Sequence, residues 1–210
     1  MKYSAVILAA GSGTRLNLGY NKLLYKMNDK TIIENTVDVF QKDTDCREII
    51  LVISKTDESA MRELFQDTVQ YVYGGSTRQI SSSHGVEKAT SEYVMIHDGA
   101  RPYVSKKELD RLKEALKTSD ACLLMVPVKD TIKLVRNHQV ETTFDRSQLM
   151  AALTPQCFKK ELIEDCLKKA IVSDEIFYDD ASVVEKMSDA TVQVVPGEYT
   201  NIKITTKEDL

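Results

Sequence analysis

The chain has 210 residues, enough for one well-buried α/β domain and cramped for two, so a single domain over 1–210 is expected. Its formal charge is -4 with 29% charged residues, so both signs are mixed, no basic tract supports nucleic-acid binding, and any anion site must be local. No apolar run is long enough to span a membrane, and Met1-Lys2-Tyr3 leads into the first apolar run with no signal-peptide core, which predicts a soluble, cytoplasmic protein without membrane attachment. The four cysteines, Cys46, Cys122, Cys157 and Cys166, lie far apart with no C-x-x-C pair. That argues for reduced thiols and against a zinc knuckle or a disulfide framework.

Ala5 to Ala10 is apolar without alternation, which predicts a strand covered on both faces. It runs straight into Leu8-Ala-Ala-Gly-Ser-Gly-Thr-Arg15. Gly11 and Gly13 let the backbone turn and present N–H groups to an anion, and Arg15 adds a donor fork that suits phosphate oxygens. The same stretch serves equally as a plain strand-to-helix turn. Two more specific phosphate motifs are excluded: Leu16 stands where a dinucleotide fingerprint needs its third glycine, and no G-x-x-x-x-G-K-[ST] loop occurs.

An irregular connection carrying Lys22 follows. Ile33, Val37 and Phe40 then predict a helix over Thr31 to Phe40. Glu48 to Ser54 reads as a second buried strand, a charged helical stretch runs through Phe65, and a short strand covers Val69 to Tyr73. This β-α-β-α-β order predicts a mostly parallel, doubly wound sheet with ligands outside the carboxyl ends of its strands. Gly74-Gly-Ser-Thr-Arg78 is a second glycine turn. Ser81, Ser82 and Ser83 are expected to open a helix through Ala89, two of them as caps.

Tyr93 to His97 is a further strand that delivers Asp98 and Arg101 at its carboxyl end. Ser105-Lys-Lys-Glu108 is a capping box before a helix whose buried stripe is Leu109, Leu112 and Leu116. Ala121 to Val126 is another buried strand. Ile132–Val135 and Val140–Phe144 flank Arg136-Asn-His-Gln139, the pattern of an inserted β-hairpin arm within about 131–150. A lone hairpin is marginal in water, so the arm is expected to lie against the body or another subunit. Leu153-Thr-Pro-Gln156 precedes a helix over Lys160 to Ile171. A shorter helix opens at Tyr178-Asp-Asp-Ala-Ser182, Thr191 to Val195 forms a strand, and Asn201-Ile-Lys-Ile-Thr205 brings Lys203 near the end.

These loops collect charge where a doubly wound sheet builds its site. Arg15 and Lys22 suit a polyphosphate. Asp98 suits Mg²⁺, which with nucleotides takes one or two carboxylates plus phosphate oxygens and water. Arg101, Thr131, Arg146 and Lys203 suit a second anion. Singly, each cation is an ordinary solvated surface charge, and Asp98 alone is a turn residue. Recurrence after successive strands is what favours a site. His97 is expected to orient its loop, not to act as a base.

The ordered blocks Leu8–Arg15, Asn21-Lys22, Gly74-Gly75 with Arg78 and Ser81, His97–Pro102, Pro127–Thr131, Asp145-Arg146, Leu153–Gln156, Asp179–Ser182 and Asn201–Thr205 resemble the 2-C-methyl-D-erythritol 4-phosphate cytidylyltransferase family. The resemblance covers essentially the whole chain. It implies a Rossmann-like nucleotidyltransferase fold, CTP and Mg²⁺ as requirements, transfer of CMP to methylerythritol phosphate with release of pyrophosphate, and a homodimer joined through the β-arm. By the same resemblance Ala9, Ala10, Gly11, Gly13, Arg15 and Lys22 bind CTP, with Arg15 and Lys22 catalytic. Gly75 and Ser81 lie near the cytosine and Asp98 near the metal. Thr131, Arg146, Thr154 and Lys203 match acceptor contacts, Thr131 and Arg146 coming from the partner's arm.

Two positions depart from the family pattern. Asn21 replaces a frequent proline, which is expected to loosen the lysine loop, and Ser76 replaces a frequent acidic residue, which calls a ribose or base contact into question. The chain also stops at Leu210, where family members usually continue into a C-terminal helix. A ribitol-5-phosphate cytidylyltransferase making CDP-ribitol is the nearest alternative. It usually reads Ala-Gly-Gly where this chain has Ala9-Ala10-Gly11 and tends to lack the Pro127-Val-Lys-Asp130 block. A non-catalytic nucleotide-binding regulatory protein on the same scaffold would keep the glycine loop but lose Asp98 or the acceptor cations.

Overall fold

The computed structural model describes residues 1–11 and 19–209, so Gly13 and Arg15 of the first loop lie outside the described residues. The first strand, β1 (Tyr3–Leu8), is buried from Tyr3 to Ile7 and half-buried at Leu8. It ends before the predicted run does. Beyond Leu8 the Ala9 N–H still reaches Val52 O at 2.8 Å. A 3₁₀ turn over Lys22–Leu24 follows the glycine loop, then a short antiparallel pair, β2 (Lys26–Met27) and β3 (Lys30–Thr31). Two residues per strand are too few to alternate, so the sequence does not announce this pair.

Helix α1 (Ile32–Gln41) starts where Thr31 and Glu34 close a capping box, and it buries Ile33, Val37 and Phe40 as the spacing predicts. Then come β4 (Cys46–Ile53), α2 (Glu58–Phe65), β5 (Gln70–Tyr73), α3 (Arg78–Lys88), β6 (Tyr93–Asp98), α4 (Lys106–Ala115) and β7 (Ala121–Pro127). In α4, Ser105 caps and Leu109 and Leu112 face the sheet. The serine expectation for α3 is corrected. Thr77 is the N-cap, accepting from Ile80 N, and Ser81 lies one turn inside the helix with its hydroxyl donating to Thr77 O at 2.9 Å. Thr77 is the first extended residue before the turn, so its side chain faces the free N–H groups first.

The arm is β8 (Lys133–Arg136) paired antiparallel with β9 (Gln139–Thr143). Asn137 and His138 both hold positive φ, 48° and 62°, as a two-residue type I′ turn requires. Pairing therefore extends to Arg136 and Gln139, one residue further on each side than predicted. Every β9 residue is exposed.

Leu153–Gln156 precede the helix over Lys160 to Ile171 as expected, but as part of a strand that the sequence did not announce. These residues sit within a ten-residue strand, β10 (Met150–Lys159), antiparallel to both β6 and β7. Pro155 hid it, because proline cannot donate to a ladder. The β7–β10 register shifts between Ala152 and Gln156, which leaves Pro155 out of the pairing. The chain closes with α5 (Lys160–Ile171), α6 (Asp180–Met187) and β11 (Gln193–Pro196).

Seven strands form one sheet in the order β11-β7-β10-β6-β1-β4-β5. The pairs β11–β7, β6–β1, β1–β4 and β4–β5 are parallel, so the sheet is mostly parallel, as expected. Alternate residues of the central strands feed opposite layers. Ala5, Ile7 and Leu51 pack with α1, α2 and α4 on one face, while Val6, Ile50 and Ile96 pack with α3, α5 and α6 on the other. Gly85 lets α3 approach closely, since a Cβ there would overlap Val6 and stand 2.9 Å from Val52 Cγ2. Covering both faces leaves the carboxyl ends of β1, β5 and β6 as the place for a polar cleft.

Candidate active site

A cleft of about 560 Å³ opens at those strand ends. Ala10 and Gly11 follow β1, Gly75 to Arg78 follow β5, and Asp98 to Ala100 close β6; Lys22, Ser81 and Lys203 complete the lining. Two loops meet here only because Gly74 carries no side chain. A Cβ would overlap that of Ala10 and lie 2.9 Å from Ser81 Oγ. Ser81 Oγ in turn accepts from Gly75 N at 3.1 Å, holding the second glycine turn against α3.

Asp98 is the charge centre and the one carboxylate among the described residues that line the cleft. Lys203 Nζ donates to its Oδ2 at 2.8 Å, Arg101 Nε stands 3.7 Å from the same oxygen, and Arg78 Nη2 stands 3.6 Å from Oδ1. Burial alone would raise the Asp98 pKa. The positive charges of Arg78, Lys203 and Arg101 outweigh it and hold the carboxyl well below the usual range. Arg78 is also paired, through Nη1, with the fully buried Asp180 at 2.7 Å. Burial opposes the Arg78 charge, but Asp180 and Asp98 hold it cationic.

Lys22 is buried at the floor, and its Nζ donates to Ile204 O at 2.6 Å, 182 residues away. Asn21 does not loosen this lysine, contrary to expectation. Its Oδ1 accepts from Leu23 N at 3.0 Å, and its Nδ2 donates to Asp57 Oδ2 at 2.8 Å. The side chain thus fixes the 3₁₀ turn that presents Lys22. Ser76, the other departure, lines the cleft.

His97 lies behind the cleft, fully buried. Its Nε2 meets Arg101 O at 3.0 Å; a carbonyl only accepts, so Nε2 carries the proton and Nδ1 accepts from Thr154 Oγ1 at 2.9 Å. Thr154 Oγ1 then accepts the Asp98 N–H at 3.1 Å. Burial pushes the His97 pKa down to about 4, so the ring is neutral near pH 7 and orients the Asp98–Arg101 turn.

The structure therefore brings Ala10, Gly11, Lys22, Gly75, Ser81, Asp98 and Lys203 to one cavity. Ala9 is buried beneath it, and Arg101 and Thr154 stand behind Asp98 as its supports. Thr131 and Arg146 are exposed on the arm and do not line the cleft of their own chain; Arg146 Nη1 donates to Lys129 O at 2.9 Å. Arg78, Thr77 and Asp180 are additions that the reading of site residues missed. The two loop residues were signalled only by following the second glycine pair, and the buried Asp180 by its place in Asp179–Ser182. Such a concave, cation-rich site with a single carboxylate can hold a polyanion and stabilise charge moving onto a leaving phosphate. Mg²⁺ fits here in the mode that takes one carboxylate and draws its remaining ligands from phosphates and water; among the described residues no cluster of three His, Cys, Asp or Glu side chains offers a closed protein cage.

The chain matches the family profile described as IspD, 2-C-methyl-D-erythritol 4-phosphate cytidylyltransferase, over residues 3–210. Proteins of that description from Bacillus velezensis and Bacillus cytotoxicus are 40% and 42% identical to it, the alignments spanning 100% and 99% of this chain and 93% and 94% of theirs. The crystal structure of 4-diphosphocytidyl-2C-methyl-D-erythritol synthase from Anaerococcus prevotii superposes with a TM-score of 0.88 at 35% identity, covering 99% of this chain and 94% of that one. With matches of this length and identity, the chain belongs to the 2-C-methyl-D-erythritol 4-phosphate cytidylyltransferase family.

Proposed function

We propose that this protein transfers CMP from CTP to 2-C-methyl-D-erythritol 4-phosphate, releasing pyrophosphate, in the non-mevalonate route to isoprenoid precursors. The observation that carries the reading is the convergence of Lys22, Lys203 and Arg78 around Asp98 in one cleft, on a chain whose relatives bear that activity's name. An acceptor phosphate oxygen attacks the α-phosphorus in line and the pyrophosphate oxygen leaves with the bond electrons. The attacking phosphate is already ionised, so no general base is needed, in keeping with a neutral, buried His97.

Both reactants are anions, and their repulsion is the main obstacle. Lys22, with Arg15, neutralises the triphosphate and the charge that builds on its bridging oxygen. The glycine turns at Gly11 and Gly75 let backbone approach the nucleotide, with Ser81 beside the base. Asp98 would hold Mg²⁺, which would supply further neutralisation of the phosphates. Lys203 receives the acceptor phosphate, with Arg101 and Thr154 supporting Asp98 from behind the cleft.

Thr131 and Arg146 complete that site from the arm of a second subunit. The arm suits this role because Val135, Val140 and Phe144 expose apolar surface on a hairpin that carries no core of its own. Sedimentation showing only monomer at micromolar concentration overturns the dimer. A single catalytic domain over 1–210 in the cytoplasm is the setting we propose, and among the described residues no helix is long and apolar enough to cross a membrane. Pyrophosphate release with CTP and methylerythritol phosphate, ribitol 5-phosphate or no acceptor tests the reaction. Release only with methylerythritol phosphate is expected; preference for ribitol phosphate, or no release, overturns it.

A further inference from the structure

Glu108 has no part in the chemistry above, yet it is fully buried, an uncommon place for a carboxylate. Half of its role is local. Oε2 accepts from Ser105 N at 2.8 Å and closes the capping box of α4. The other oxygen does something a cap does not require. Oε1 accepts from Glu198 N at 2.9 Å and from Asn201 Nδ2 at 3.4 Å, 90 and 93 residues along the chain.

Asn201 is fully buried too, and its Nδ2 also donates to Thr154 O at 2.9 Å. Both of its partners are acceptors, which fixes the orientation of the amide. The Asn201 backbone carbonyl accepts from Arg101 Nη1 at 2.7 Å. Three residues later Ile204 N donates to Ala100 O at 2.9 Å, while Ile204 O receives Lys22. Between them Lys203 reaches Asp98. Two cleft amines from opposite ends of the chain are thus referred to one short segment, and that segment is referred to Glu108.

We infer that Glu108, acting through Asn201, is a positioning residue that sets where Lys203 and Lys22 stand relative to Asp98. The inference rests on the proposed reaction for its kinetic consequence, though not for its geometry. A carboxylate is required at 108 because three donors converge on it, Ser105 N, Glu198 N and Asn201 Nδ2, and a glutamine would turn an NH₂ group toward one of them. Displacing a catalytic group by about 1 Å can cost on the order of 10²-fold in rate, so a loss of that scale is open to a residue that touches no substrate.

The test compares Glu108→Gln with Ser105→Ala, which removes the hydroxyl cap of the same helix and leaves the Oε1 contacts in place. Glu108→Gln is expected to lower kcat by about ten- to a hundredfold with CTP affinity changed less than about threefold. Ser105→Ala is expected to lower the melting temperature and keep kcat. Asn201→Ser serves as a second variant, and the Glu108→Gln/Asn201→Ser double variant should lose no more than the worse single one, because the two act as a unit. In lysine-labelled protein the ¹³Cε resonances of Lys22 and Lys203 should move in Glu108→Gln and stay in Ser105→Ala. Equal kcat losses in both single variants, unchanged kcat in Glu108→Gln, or unmoved lysine resonances overturns the inference. Absence of turnover in the unmutated protein would instead count against the reaction, and the resonances would still decide the positioning.

Discussion

Lys203 and Asp98 stand 105 residues apart in the chain and 2.8 Å apart in the fold, with the lysine ammonium on the carboxylate that Arg78 and Arg101 also face. The carboxylate is balanced before any substrate arrives. An incoming phosphate must therefore share Lys203 with Asp98, which couples acceptor binding to the charge state of the cleft.

Lys203→Ala removes that shared cation and leaves Asp98 to repel phosphate. Turnover is expected to fall by about 10² to 10³, the scale of losing one preorganised electrostatic donor. Steady-state kinetics with both substrates saturating checks this, and turnover near the unmutated level would take Lys203 out of the mechanism.

Lys22→Ala should cost roughly 10² to 10³ in turnover for the same reason, through the triphosphate. Unchanged pyrophosphate release would show that the Lys22–Ile204 contact serves structure alone.

Arg146→Ala probes the division between the two substrates. Arg146 lies outside the cleft of its own chain, so the acceptor KM should rise about ten- to a hundredfold, the worth of a hydrogen bond to a charged group, while CTP binding measured by calorimetry stays nearly constant. Equal loss of affinity for both ligands contradicts a partner-supplied acceptor contact.

Glu48 gives a pH signature far from the chemistry. Burial would raise its pKa, but hydrogen bonds from Ser4, Thr90 and Gln70 outweigh that and hold it below the ordinary value of 4.5. A folded-state pKa below the unfolded one stabilises the fold fully above the unfolded value and loses this as pH falls through the folded value. Glu48→Gln should thus be less stable by about 1 kcal/mol at pH 7, with the gap closing as pH falls below the ordinary value of 4.5 in urea titrations. A gap that widens in acid refutes the assignment.

Gly85→Ala should destabilise the fold by about 1–3 kcal/mol, because the added methyl meets Val6 and Val52 where α3 lies on the sheet. Thermal unfolding measures it. A neutral result would mean that α3 shifts freely, and a shift that moves Ser81 should then also alter CTP affinity.

Where a signal needs only neighbours in sequence, the chain declared its structure. Ser105 with Glu108 marked a helix start, Ile33, Val37 and Phe40 marked a buried stripe, and the apolar runs of β1, β4 and β7 marked a sheet covered on both sides. Side-chain period and capping chemistry act within one turn or one strand, so they are legible in one dimension. The ordered motifs also placed Lys22, Asp98 and Lys203 among the candidates. Tertiary structure decided what no local pattern encodes: that β10 inserts antiparallel despite Pro155, that Thr77 and not the serines caps α3, that Arg78 is shared by Asp98 and Asp180, and that Lys22 rests on Ile204. Each of these except the cap depends on a partner many residues away, and the cap depends on which residue the β5 turn leaves extended. Such contacts exist only once burial of both sheet faces has brought the strand ends together, and so the cleft is a property of the folded chain.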